Sequence, residues 1–301
     1  MSGKRKWSGK TQGGSFGQRS IMLFLRYIGI SPLYFMLRLI VPFYMLFSRR
    51  NRLAIESYFK RMGLSSKWKI FCHTYRNHYY FAQAMVDRFA LFVELQHRYK
   101  VRISGNDELI KVLKNEQKGA ILAGAHVGNM EMAGYFFDHQ EKDFHGIVFG
   151  EEAKFLTGQR VNALSKRQVK MIPITSDMSH LFMLHQALEQ GDCLTLHCDR
   201  SLLGRKQMEV MFLGAPALFP TGAFQLALRM DVPVLAIYMM REKSKRYHII
   251  IRNLTQLIPR EGTDAEKLRA YMHQFVTMLE EVLQRYPEQW YNYYDFWKKA
   301  S

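Results

Sequence analysis

Cysteine is scarce in this chain. Cys72, Cys193 and Cys198 are the three found in 301 residues, too few to staple a protein of this size, and a reducing compartment is the simpler reading. Acid is short as well: 26 Asp and Glu stand against 43 Lys and Arg, a formal charge of +17. Hydrophobic residues are not short, at 48% against 23% charged. That is ordinary globular usage and excludes disordered, collagen-like and low-complexity classes for the bulk of the chain. The length allows one large domain or two small ones with a substantial core. There are no internal repeats, no P-loop and no G-x-G-x-x-G, so nucleotide-hydrolysing and dinucleotide-binding readings lack support.

The positive charge is concentrated at one end. Residues 1–60 hold eleven Lys and Arg and one acid, Glu56. Such an end calls for an anionic partner: nucleic acid, an anionic membrane surface or an acidic protein. Hydrophobicity chooses among them. Residues 21–48 are mostly apolar and aromatic, interrupted by Arg26 and Arg38. Residues 27–47 are about long enough to cross a bilayer, which takes roughly 20 apolar residues. Arg38 near the middle is costly at that depth, and Pro32 and Pro42 would kink a helix. The expected reading is a membrane-anchoring segment, either a tilted span or a helix in the interface, with its basic flanks on an anionic membrane surface. The bland alternative is a core helix of a soluble domain. A signal peptide does not fit, because no small-residue cleavage site follows. No nucleic-acid motif accompanies the charge, and no nucleic-acid partner is expected.

Three regions are expected: a disordered basic tail over 1–18, a helical membrane-associated region over 19–98, and an α/β domain over 99–301. One long helix is predicted over 66–98, with Trp68, Phe71, Tyr75, Tyr79 and Met85 among its apolar positions and the intervening His, Arg and Asn turned to water. Beyond it, short apolar runs at 119–125, 144–149, 169–175, 193–198, 232–240 and 248–252 alternate with helical patterns at 129–138, 177–190 and 221–230. Runs without strict alternation suit strands buried on both faces. The fold expected is α/β, a mainly parallel sheet flanked by helices, behind an N-terminal helical membrane-anchoring region. A last helix opens on a capping box, Thr263 and Glu266, and stops at Pro287.

The run Ala123-Gly-Ala-His-Val-Gly-Asn-Met-Glu131 takes a buried strand through a glycine-rich turn into a helix. Open α/β sheets place their sites at such strand ends. With His126 in the turn and Glu131 in the first helical turn, the carboxylate can fold back onto the imidazole, fix its tautomer and leave Nε2 as a base. Gly124 and Gly128 would let backbone N–H groups approach a substrate. The bland reading is a histidine satisfied in a loop, with Glu131 favourable at a helix start. A second strand end carries His197-Cys-Asp-Arg200. A Pro/Gly loop runs from Phe212 and opens a helix at Thr221-Gly222, a place suited to anions. Cys193, His197 and Cys198 do not have the spacing of a common zinc site, and no metal is expected.

In this order, H-x4-E after a strand, an acid-bearing loop about 70 residues on, then F-x-G-x-P-A-x-x-P-T-G with a V-P-V strand after it, the chain resembles the lipid A biosynthesis lauroyl and myristoyl acyltransferases of the lysophospholipid acyltransferase superfamily. Pro287-Glu-Gln-Trp290 matches the family's usual ending. The resemblance implies that His126 is the general base, Glu131 its partner, and that Asp199 matches the second acid of a D-x-D element, with His197 in the place of the first. It implies substrate-binding roles for Asp199 and for Thr221 and Gly222, which match the family's helix-start loop. Gly124 and Gly128 are expected to line the substrate with backbone, and Arg160 and Arg200 to bind the donor's phosphate or an anionic headgroup. The bland reading of each arginine is solvated surface charge. The tail Trp290-Tyr-Asn-Tyr-Tyr-Asp-Phe-Trp297 departs from the family's basic ending and resembles divergent homologues of aryl polyene pathways. The implied reaction moves an acyl chain from acyl carrier protein or acyl-CoA to a hydroxyl of a lipid acceptor, with no metal and no cofactor, at the cytoplasmic face of the inner membrane. The altered D-x-D loop and the divergent tail leave a non-catalytic membrane scaffold, or an acyltransferase of an aryl polyene lipid, as the alternative.

Overall fold

A computed structural model describes residues 14–114, 117–137, 142–149, 169–174, 179–200 and 206–297. Seven strands form the main sheet: β1 (Lys100–Ser104), β2 (Ala120–Gly124), β3 (Phe144–Phe149), β4 (Val169–Ile174), β5 (Cys193–His197), β8 (Val234–Lys243) and β9 (Arg246–Asn253), in the order β1-β9-β8-β2-β5-β3-β4. All neighbours are parallel except the β8–β9 hairpin. The central strands are buried on both faces. Ile121, Ala123, Val234, Ala236 and Tyr238 join one core, while Ala120, Leu122, Leu235, Ile237 and Met239 join the other. This alternation is the two-residue period of a strand between two layers.

Helices α1 (Gly14–Tyr27), α2 (Ile30–Phe47), α4 (Lys67–Phe92), α5 (Asn106–Leu113) and α6 (Met130–Ala133) cover one face. Helix α3 (Arg49–Arg61) joins the opposite core with α7 (Ser179–Glu189), α8 (Gly222–Met230) and α9 (Asp264–Arg285). The capping box of α9 forms as expected: Thr263 accepts from Glu266 N, and the Glu266 carboxylate reaches back to Thr263 N.

Three strands escape the sequence reading. β1 lies at a sheet edge and shows only alternating half-burial. β6 (Gln207–Phe212) and β7 (Ala215–Pro220) form a separate hairpin. Its two-residue turn, Leu213-Gly214, has both φ values positive, the turn whose twist suits antiparallel strands. The predicted helix over 66–98 stops early. Glu94 takes a left-handed φ of 64° and Leu95 N–H bonds back to Ala90 O, the usual way to end a helix. The helix expected at 129–138 is helical over Met130–Ala133 alone. Residues 1–13 lie outside the described residues, and α1 begins inside the stretch expected as a disordered tail.

The orientation of α4 also differs from expectation. Trp68 and Phe71 are exposed, whereas Asn77 and His78 are buried. The polar stripe faces inward because Asn77 Nδ2 donates to Glu288 O at 3.0 Å and Trp290 O at 2.8 Å, fastening the end of the chain to the helix.

Candidate active site

β2 and β5 are adjacent and parallel, with Gly124 opposite His197. Two residues beyond this pair, on each chain, stand His126 and Asp199. Equal offsets from one register pair carry both to the same end of the sheet, and they meet. His126 Nδ1 is 2.7 Å from Asp199 Oδ1, and His126 N–H donates to Asp199 Oδ2 at 3.0 Å. A third donor comes from the far end of the chain: Trp290 Nε1–H reaches Asp199 Oδ2 at 3.2 Å. The Asp199 side chain is wholly buried, and His126 is 32% exposed. Burial pushes the Asp199 carboxyl up, but the charge and hydrogen bond of His126, followed by Arg200, pull it further down, so it lies well below the usual carboxylate range. An ionised Asp199 holds the proton on Nδ1 and leaves Nε2 as the basic atom at the opening.

The carboxylate on His126 Nδ1 is therefore Asp199, in the place where Glu131 was expected. Glu131, at the start of α6, instead has Oε2 3.0 Å from Nε of Arg88 on α4. The turn explains the difference. Asn129 is buried, with its N–H on Met239 O and its side chain on Ala84 O, and this turns the first residues of α6 toward α4.

His197 takes part without being an acid. Its ring lies 4.5 Å from that of His126, centroid to centroid. It is exposed at the end of β5, yet loss of hydration, then the charges of His126, Arg200 and Arg88, lower it to about 3, with Asp199 opposing. It is a neutral ring near neutral pH and adds no second cation to the site.

The glycine-rich turn is held rather than open. Gly128 has φ +58°, and a Cβ there would fall 2.0 Å from Met239 O, so no other residue fits without moving β8. Its N–H donates to Gln289 O at 2.9 Å. With His126 N–H on Asp199 and Asn129 N–H on Met239, these three backbone donors are occupied. Gly124 ends β2, and its carbonyl accepts from Cys198 N–H.

The other expected substrate residues lie elsewhere. Arg200 Nε donates to Asn292 Oδ1 at 3.1 Å, and its NH2 group donates to Tyr291 O, so it grips the C-terminal tail. Thr221 is buried and bonds to Lys206 O, while Gly222 opens α8 toward free space. Arg160 lies outside the described residues. Among the described residues one group approaches metal-site geometry: Asp143, His145 and Asp192. It sits at the opposite strand ends from His126. His145 Nε2 is paired with Asp192 Oδ2 at 2.8 Å, and Lys170 is on Asp143, so mutual pairing accounts for it.

The sequence reading missed Trp290 and Gln289 as parts of this site, and Asn77 as their anchor. It noticed Pro287-Glu-Gln-Trp290 only as an ending. A tryptophan with an indole N–H needs a partner when buried, and that requirement was the available signal.

The geometry can move one proton at Nε2, and among the described residues the charges of Arg200 and Arg88 are felt at the neighbouring His197. A comparison with curated proteins finds none that matches. The sequence model of the family described as bacterial lipid A biosynthesis acyltransferase matches residues 23–299, nearly the whole chain, and the protein belongs to that family.

Proposed function

We propose that the protein is an O-acyltransferase that moves a fatty acyl chain from an acyl-carrier-protein or CoA thioester to a hydroxyl of a lipid A-like acceptor. The observation that carries this reading is the His126–Asp199 pair, with a buried anionic carboxylate on Nδ1 and a part-exposed ring. His126 Nε2 removes the proton from the acceptor hydroxyl. The oxygen forms a bond to the thioester carbonyl carbon, and the carbonyl becomes an oxyanion. Its collapse breaks the C–S bond, and the leaving thiolate takes the proton back from the imidazolium. The oxyanion needs a donor. The occupied N–H groups of the turn argue for a side chain. The charges of Arg200 and then Arg88 are both felt at His197. Arg200 is committed to the C-terminal tail, so Arg88, paired with Glu131, is the candidate.

We also assign the anchoring surface to α2 on the cytoplasmic face of the inner membrane. Its 18 residues have a mean hydropathy of 1.6 and only 28% of them are buried. Phe35, Leu39, Ile40, Phe43 and Phe47 face outward, and Arg49 and Arg50 follow. The inner side of α2 packs along α4, with Tyr34 on Asp87 and Tyr44 beside His78, so the two helices run antiparallel. α4 carries His73, Arg76, Asn77, His78, Asp87 and Arg88. A helix of that polarity does not enter hydrocarbon, which favours an α2 lying in the interface over one crossing the bilayer.

The test is acyl transfer from dodecanoyl-CoA and dodecanoyl-acyl carrier protein to a lipid extract containing under-acylated lipid A. Wild type should release thiol and form acylated lipid, and His126→Ala should lose about a hundredfold or more, as expected for removal of a general base. No transfer by wild type from either donor, or wild-type rates in His126→Ala, would overturn the reading.

A further inference from the structure

The segment Pro287–Tyr291 reaches the site from the far end of the chain and contacts both its glycine-rich turn and Asp199. Val127 and Trp290 form an antiparallel bridge, with Tyr291 N–H on His126 O and Gly128 N–H on Gln289 O, both at 2.9 Å. The Gln289 side chain clamps the end of β8, accepting from Arg241 N–H at 2.8 Å and donating to Arg241 O at 2.7 Å. Tyr58 OH donates to Pro287 O at 3.0 Å, and Asn77 holds Trp290 O. The Trp290 ring is 1% exposed and caged by Tyr58, Phe212, Phe296 and Trp297, with centroids 5.0 to 5.9 Å away.

This cage fixes one polar atom, the indole N–H, and aims it at Asp199 Oδ2. Cage rigidity matters because a carboxylate has two oxygens and can rotate. With Oδ2 pinned between Trp290 Nε1–H and His126 N–H, Oδ1 is left facing His126 Nδ1. We propose that Trp290 is a positioning residue for acyl transfer, acting through Asp199 by its indole N–H and not only by its bulk. This rests on the reading of His126 and Asp199 as the catalytic pair.

The indole N–H makes two predictions that packing alone does not. Without it Asp199 keeps fewer donors, its charge is less dispersed, and the His126–Asp199 pair holds its proton more tightly. The acid limb of the kcat profile then moves to higher pH. Substrate binding is untouched, so the loss falls on kcat and not on KM.

The experiment replaces Trp290 in the full-length protein with 3-benzothienylalanine, which keeps the bicyclic shape and has sulfur in place of N–H. 4-Fluorotryptophan, which retains the N–H, is the rescue. Tyr58→Phe removes a hydrogen bond from the same segment without touching Asp199, and His126→Ala runs in the same dodecanoyl-acyl carrier protein assay. The expected result for benzothienylalanine is a tenfold to hundredfold lower kcat, from loss of one hydrogen bond to a charged group, with KM within about twofold and the acid limb raised. 4-Fluorotryptophan and Tyr58→Phe should keep both kcat and the limb. Wild-type kcat and limb in the benzothienylalanine protein would overturn the proposal, as would an equal shift in Tyr58→Phe, since the indole would then have no special part. An active His126→Ala would instead overturn the catalytic reading beneath it. Should the benzothienylalanine protein melt early, the same comparison is read below its transition, where unfolding lowers the amount of active enzyme but does not move the limb.

Discussion

Two aspartates among the described residues are completely buried, and their surroundings differ in one respect. Asp87 accepts from Tyr34, Tyr99, Tyr247 and Arg241, and all four of those side chains are themselves buried. Asp199 accepts from a backbone N–H, an indole and an imidazole, and the imidazole is open to solvent. Around Asp87 the counter-charge is a guanidinium, which does not release its proton in proteins. Around Asp199 it is a group that gains and loses one. The closed cluster joins α2, α4, β8 and β9 into one body, whereas the half-open one is the centre for which we propose chemistry. A buried carboxylate thus identifies a site only when its partner can titrate and reach the outside.

Breaking the two centres should separate activity from stability. Asp199→Asn leaves a side chain of the same shape but removes the charge that orients the imidazole and stabilises the imidazolium. A loss of about a hundredfold or more in kcat per folded molecule is expected, on the scale of removing a general base, beyond any fall in melting from losing the ionised acceptor of three donors. The pH dependence carries a sign. Asp199 is held below the usual carboxylate range, so its contribution to stability is complete above the unfolded value of about 3.9 and fades as pH falls toward the lower folded value. Any activity lost in weakly acidic solution should therefore occur while the Asp199 contribution to melting is still unchanged, because its carboxylate is not yet taking up a proton. A melting curve that falls in step with the rate would contradict this.

Asp87→Asn should do the reverse. It strands Arg241, 3% exposed, without its counter-charge, and breaking one side of a buried ion pair typically costs about 3–5 kcal/mol. Denaturant unfolding should register that loss, with kcat per folded molecule close to wild type. A large kcat defect with normal stability would mean that the cluster reaches the chemistry, for which the Arg241–Gln289–Gly128 connection offers a path. The two centres also relate differently to α2, since Tyr34 belongs to the Asp87 cluster. Deleting residues 1–48 would thus damage the core as well as the anchor. Leu39→Glu with Phe43→Glu tests the outward face alone, because both residues are more than 60% exposed. Vesicle flotation with anionic lipid should fall markedly, and transfer to a soluble short-chain acceptor should persist. Undiminished flotation would place the anchoring surface elsewhere.

The parts of this arrangement differed in how plainly the sequence announced them. The parallel strands were readable because both faces of β2 and most of β5 and β8 are buried, so apolar residues run on with little polar interruption. The final helix was readable from its capping box. β1 was not, because an edge strand with one wet face has no such run, and the β6–β7 hairpin was hidden by prolines and a Leu-Gly turn. His126 stood out through its strand–turn–helix setting, and Asp199 through its matching strand end. What the sequence left undetermined was which carboxylate meets the imidazole. That depends on strand register, Gly124 opposite His197, and on how Asn129 turns α6, and neither is a local property. The inward-facing polar stripe of α4 was misread for the same reason. Asn77 looks like a surface residue until a chain segment more than two hundred residues away supplies the carbonyls it binds.

The smallest effect should come from Glu131, and it separates the two acids most directly. The spacing H-x4-E makes Glu131 the expected partner of His126, while the structure gives Nδ1 to Asp199 and sets Glu131 against Arg88. Glu131→Gln keeps the size and one acceptor oxygen but removes the charge. With Glu131 on Nδ1, the loss would match Asp199→Asn and the acid limb of the rate would move. With Glu131 holding Arg88, His126 keeps its carboxylate, and only the placement of a nearby cation loosens. A part-exposed ion pair contributes about 1 kcal/mol or less, which corresponds to a few-fold change in rate. The expectation is a loss of under tenfold at an unchanged acid limb, with Arg88→Lys giving a similar deficit because it keeps the charge and loses the planar fork. Rates for Glu131→Gln as low as those of Asp199→Asn would return Glu131 to the imidazole in the working enzyme, and the two buried aspartates would then have to be compared with a third acid that the resting geometry keeps apart from the histidine.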